Sequence, residues 1–149
     1  MSELLENLQS EFQDEAARYA YVETFLNAHI AAQLKTLREE YPMTQEQLAG
    51  KLHTKQSGIS RLEKANYSSW KVDTLRKLAR ALGVRLKISF EEFGTLVPEV
   101  QNFNREALIR HRFEKDPVFC GSAIVDASKD RVDPETHRIR QNRFLEQAQ

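Results

Sequence analysis

The stretch TQEQLAGKLHTKQSGISRLEK, Thr44 to Lys64, sets two short helical patterns around one tight corner, and this limits what the chain can build. Thr44 followed by Gln47 has the capping-box spacing that opens a helix, which should run to about Leu52. His53 and Thr54 form the corner, with Thr54 the candidate N-cap of a next helix ending at Glu63 or Lys64. At roughly 100° per residue, Gln56, Ser57, Ser60, Arg61 and Lys64 share one arc of about 140°, and Gly58, Ile59 and Leu62 lie opposite. The later helix therefore has a polar face and an anchoring face. Leu48, Ala49 and Leu52 of the earlier helix supply the anchor, and Ala49 with Gly58 would let the two axes approach. Lys55 falls on the inner arc, in the first turn.

Two helices joined by a very short corner, the second exposing side chains that can make paired hydrogen bonds, form a helix-turn-helix suited to the DNA major groove. A glutamine amide can bond both N6 and N7 of adenine, and an arginine both O6 and N7 of guanine. Gln45, opening the earlier helix, can aim its amide and nearby backbone N–H groups at a phosphate. The same polar face would also serve as a plain wet surface, so the pattern alone leaves both uses open.

Charge is distributed in blocks behind a formal net charge of zero. Residues 1–34 carry one Arg against six acidic residues, residues 35–87 twelve Lys or Arg against five acidic, and residues 88–149 nine against eleven. The basic middle fits an anionic partner or a solvated charged face.

Residues 2–40 contain neither Gly nor Pro, and Leu5, Leu8, Phe12, Ala16, Tyr19, Val22, Phe25, Leu26, Ile30, Leu34 and Leu37 recur at helical spacing. One long helix, or two joined near Ala20, should end at Tyr41, which Pro42 forces out of helical geometry. VDTLRKLARALG predicts a further helix stopped by Gly83. Then the period changes: Val84, Leu86, Ile88 and Phe90 alternate with Arg85, Lys87, Ser89 and Glu91, the signature of a half-buried strand. Short helices are expected after Pro98 and Pro134, with loosely attached chain from about Arg105.

The run TQ..LA..L, then QS.IS.LE, then TL.KLA.ALGV resembles the Cro/C1-type (XRE family) helix-turn-helix domain over about residues 25–88. The resemblance implies a mainly α, lambda repressor-like five-helix domain, here with a long N-terminal helical region and a short C-terminal β-strand. It divides the chain into a helical extension (1–20), the helix-turn-helix domain with its trailing strand (21–93) and a C-terminal extension (94–149). It assigns Gln45 to a phosphate, Gln56, Ser57 and Arg61 to bases, and Ser60 and Lys64 to backbone or bases. Lys55 joins this DNA-binding set. Two positions depart from the family pattern: His53 stands where Gly is usual at the corner, and Lys71 where a small polar cap is usual, so Ser68 or Ser69 would cap a turn earlier. The trailing strand resembles the extension of regulators and antitoxins. Its unpaired edges are expected to join a second copy through Val84–Glu91, the rival being an in-chain partner near Val118.

His29, His53, His111 and His137 show no metal-ligand spacing with one another or with the lone Cys120, so no metal or cofactor is expected. No glycine-rich phosphate loop or catalytic constellation is present, and Trp70 is expected to pack between helices. The acidic start lacks a signal peptide's basic and apolar regions, and no apolar run suits a bilayer. These features predict a cytoplasmic, non-enzymatic regulator, in first place a repressor of transcription acting on double-stranded DNA. The alternative is an antitoxin whose acidic helix around Leu4–Tyr19 masks a protein toxin.

Overall fold

Two caps set where the N-terminal helices begin. Ser2 accepts from the Leu5 amide at 3.3 Å and starts α1, Glu3–Glu11. Asp14 accepts from the Ala17 amide at 2.9 Å and starts α2, Glu15–Glu40. The expected join near Ala20 therefore falls at Phe12–Asp14, because the Asp14 carboxylate satisfies helix-start donors that an unbroken helix would not expose. Helix α2 continues through Ala20 for 26 residues, about 39 Å. It stops where Pro42 predicts, with the Tyr41 amide bonded to the Leu37 carbonyl.

The computed structural model describes residues 2–120, in two units divided after Phe113. In the first, α2 carries two cores in succession. Its C-terminal half lays Leu34 and Leu37 against α3 (Gln45–Lys51), α4 (Gln56–Leu62) and α5 (Val72–Leu82), burying Met43, Leu48, Ala49, Ile59, Leu62, Leu78 and Leu82. Around its N-terminal half lie α1 and the chain flanking α6 (Leu96–Gln101), with Leu8 and Leu96 buried, while α7 (Arg105–Leu108) meets its C-terminal half, with Leu108 buried. Aromatic edges link this second core: Phe12 meets Tyr21 at 5.4 Å and Phe93 at 6.0 Å, and Phe25 meets Phe103 at 5.4 Å. His29 stacks on Phe103, and this burial pushes its imidazole pKa down against the opposing pull of Glu99.

Residues beyond α6 are tied to the outer side of α2. Arg105 forks between Glu39 and Glu40 at 2.9 Å each, and the Gln33 amide donates to the Leu108 carbonyl at 3.0 Å. The exposed ion pairs contribute little by themselves; the buried Leu108 does more. In the second unit, Pro117–Cys120 makes one helical turn, opened by Asp116 accepting from the Val118 amide at 2.9 Å. The helix expected after Pro134 lies outside the described residues.

Among the described residues there is no β-strand, which corrects the expectation for Val84–Glu91. The alternation is real, but a strand needs a ladder. From Arg85 to Glu91 the backbone pairs with nothing among the described residues, and Val118 lies in a helical turn. Two caps also differ. The N-cap of α4 is Lys55 rather than Thr54, and Thr54 instead sets its hydroxyl 3.1 Å from where a Cβ on Gly58 would stand. Neither Ser68 nor Ser69 caps α5; Lys71 occupies that position without a side-chain bond, and Tyr67 donates to the Ser69 carbonyl.

His53 has φ 55° and is the non-glycine residue with positive φ among the described residues, while Gly83 (φ 70°) ends α5 as predicted. An L side chain in that region is strained by about 1–2 kcal/mol, less for His than for most. His53→Gly should raise the unfolding free energy by about 0.5–1 kcal/mol, since the relief is partly offset by a more flexible unfolded chain. Urea titration of the two proteins checks this, and a lower midpoint for the glycine form would contradict it.

Candidate nucleic-acid interface

The corner between α3 and α4 begins with the predicted capping box. Thr44 Oγ1 accepts from the Gln47 amide at 3.1 Å, and Gln47 Oε1 accepts from the Thr44 amide at 2.9 Å. Leu48 and Ile59, both fully buried, lock the two helices together. Trp70 packs edge-on against Tyr67 at 4.7 Å, as packing rather than stacking on bases requires. With Ile59 and Leu62 inward, Lys55, Gln56, Ser57, Arg61 and Lys64 are exposed, and Gln45 and Ser60 are half-buried at the margin.

The side chains do not all stand independently. The Gln56 amide donates to Gln45 Oε1 at 2.6 Å, and the Gln45 amide donates to Glu63 Oε2 at 2.8 Å. Glu63 in turn accepts from Arg38 Nη2 at 3.1 Å and from Arg38 Nε. The third arm of that guanidinium, Nη1, donates to the Met43 carbonyl at 2.7 Å. A four-residue relay thus runs from α2, beneath the corner, to the first residue of α4. Its base is out of solvent, with the Arg38 side chain 10% and the Glu63 side chain 4% exposed. The hydrogen bond to Glu63 raises the Arg38 pKa above its ordinary value.

This relay fixes what Gln56 can do. One amide hydrogen is committed to Gln45, which leaves the second hydrogen and Oε1 for the donor and acceptor pair that an adenine edge presents. Arg61 is steadied differently, with its guanidinium 5.9 Å from the centre of the Tyr67 ring, a cation–π contact made by an exposed side chain. The expected site residues therefore fall into a joined pair, Gln45 and Gln56, and separate outward groups on α4 and its flanks. Arg38 and Glu63 were missed. Arg38 occupies the same stripe of α2 as Leu34, and a charge on a buried stripe calls for a buried partner.

A long helix feeding a short pair with a tight corner, a polar outer face and a further packed helix defines a helix-turn-helix domain. The family model described as Helix-turn-helix matches residues 34–88, and this segment is a helix-turn-helix domain of the Cro/C1 (XRE) type. Over 59 residues, 40% of this chain, it is 41% identical to the Mycobacterium tuberculosis (strain H37Rv) protein named "Putative antitoxin HigA2". That match spans 58% of the relative's length. No solved structure matches the chain. No helix among the described residues is long and apolar enough to cross a membrane.

Proposed function

We propose that this protein is a sequence-specific DNA-binding regulator of transcription, acting as a repressor in the cytoplasm, with α4 as the helix that enters the major groove. The observation that carries this is the exposed face of Gln56, Ser57 and Arg61, braced from behind by Ile59 and Leu62 in a helix-turn-helix segment. Gln56 and Arg61 read base edges and Ser57 adds a hydroxyl, while Gln45, Ser60 and Lys64 hold the backbone in register. Lys35, Lys51 and Lys55 add sequence-independent attraction. Two copies, joined through Val84–Glu91, present two reading helices to a two-fold operator.

Selection of bound duplexes from a random pool, followed by a salt titration of the winner, tests the proposal. Affinity should fall steeply and linearly on logarithmic axes as salt rises. Arg61→Ala should cost about 1–3 kcal/mol and relax preference at one base pair, whereas Lys64→Ala should weaken all sequences alike and flatten the salt slope. A uniform loss for Arg61→Ala would remove it from the base readers.

The similarity to a protein named as an antitoxin favours a second role compatible with the first. In it, the acidic N-terminal helices bind a basic toxin while the central domain regulates its own operon. Co-expression with the product of the adjacent reading frame, scored by rescue of growth, tests this role separately.

A further inference from the structure

Arg38 is fastened by Glu63, and Arg105 forks between Glu39 and Glu40, so both spend donors and charge on carboxylates. Arg61, in the last turn of α4, differs from them. Among the described residues no carboxylate lies within ion-pair distance of its guanidinium, which stands over the Tyr67 ring instead.

Tyr67 is itself fixed from several sides. Its amide donates to the Lys64 carbonyl at 3.0 Å, its hydroxyl donates to the Ser69 carbonyl at 3.1 Å, and Trp70 meets its ring at 4.7 Å and 83°. Both rings are half-buried and pack against the core formed by α2 to α5. The loop after α4 thus turns back and sets a fixed ring beside the last base-reading side chain of that helix.

An aromatic ring and a carboxylate are not equivalent partners for this arginine. A carboxylate bonded to Arg61 would occupy N–H donors and cancel the charge that attracts DNA, and both would have to be released on binding. The face of a ring attracts a cation through its quadrupole and takes up no N–H donor. All five guanidinium donors therefore stay available, including the pair that a guanine O6 and N7 accept. The contact also removes in advance part of the rotamer freedom that a long side chain loses on docking.

We propose that Tyr67, backed by Trp70, is a positioning residue that sets the base preference of Arg61, acting through the guanidinium rather than on a base. This rests on the DNA-reading assignment above and extends it to a residue outside the reading helix. The Gln45 relay steadies the start of the reading face and uses one Gln56 hydrogen; the Tyr67 ring steadies its end and uses none.

Two readouts test this, the first without DNA. In the free protein the Arg61 Nε–Hε resonance should carry an upfield ring-current shift that Tyr67→Phe keeps and Tyr67→Leu loses. On the selected operator, Tyr67→Leu should weaken binding about two- to fivefold, the strength of one exposed cation–π contact. That loss should fall on the base pair at which Arg61→Ala relaxes preference. Tyr67→Phe should keep affinity and preference, since the ring remains and only the bond to Ser69 goes. In an Arg61→Ala background, Tyr67→Leu should change nothing further, as expected of two groups that act as one. A resonance indifferent to both changes, an equal loss for Tyr67→Leu with and without Arg61, or a loss spread evenly over all base pairs overturns the proposal. Operator selectivity without coupling strikes the positioning role alone. Failure to select any duplex, with the ring-dependent shift present, refutes the DNA assignment and the positioning role together and leaves only the contact.

Discussion

Arg38→Ala is expected to lower the unfolding free energy by about 3–5 kcal/mol, the range for removing one partner of a buried ion pair. The reason is what remains behind. Among the described residues the Glu63 side chain, 4% exposed, is left with the Gln45 amide as its donor, and the Met43 carbonyl loses its guanidinium donor. The double replacement Arg38→Met/Glu63→Leu separates two contributions that the single change mixes. Buried ion pairs exchanged for apolar residues of similar volume often leave stability unchanged or improve it, so the double variant should recover most of the loss. Its affinity for the selected operator should nevertheless fall, because Gln45 loses its acceptor and no longer orients Gln56. Chemical denaturation reads the first effect and operator titration the second. An Arg38→Ala protein as stable as the original would show that the pair is solvated, and full affinity in the double variant would show that the relay does not position Gln56.

What the sequence reveals about this fold follows the range of the interactions. The Thr44 and Gln47 box, the Gly83 stop, the end at Tyr41 and the split of α4 into two faces each depend on residues within four positions of one another, and all are present. Where expectation and structure part, a competing local partner or a distant one decides. Asp14 offered a carboxylate to start a new helix, which outweighed an unbroken apolar period. Lys55 took the cap of α4 without a side-chain bond, although Thr54 had the better chemistry. The relay joins residues 25 positions apart, Arg38 and Glu63, and no periodicity reports such a pairing. The alternation in 84–91 was legible, but a strand is a property of two segments, and one chain among the described residues supplies one. The candidate site was legible as a face. That two of its glutamines act as a unit was not.

Ile59→Ala should cost about 2–5 kcal/mol, the range for cutting a buried branched side chain to a methyl group. Ile59 is fully buried and projects from α4 onto the core that Leu48 and Ala49 contribute from α3. The cavity would therefore open at the contact that sets the angle between the two helices. Leu62 lies one turn further along and would hold the end of α4 while its start loosens, so the loss should fall most on Gln56 and Ser57 and least on Lys64. Operator affinity should drop even at temperatures where the protein remains folded. The change should not resemble that of Arg61→Ala, because a tilted helix misplaces several contacts at once and flattens preference across the whole bound sequence. Ile59→Val, at about 0.5–1.5 kcal/mol, should leave base preference intact. Thermal denaturation, followed by binding to a panel of single-base operator variants, distinguishes the cases. If Ile59→Ala loses stability but keeps the full pattern of preference, the anchoring face of α4 serves folding alone, and the relay through Gln45 suffices to aim the reading helix.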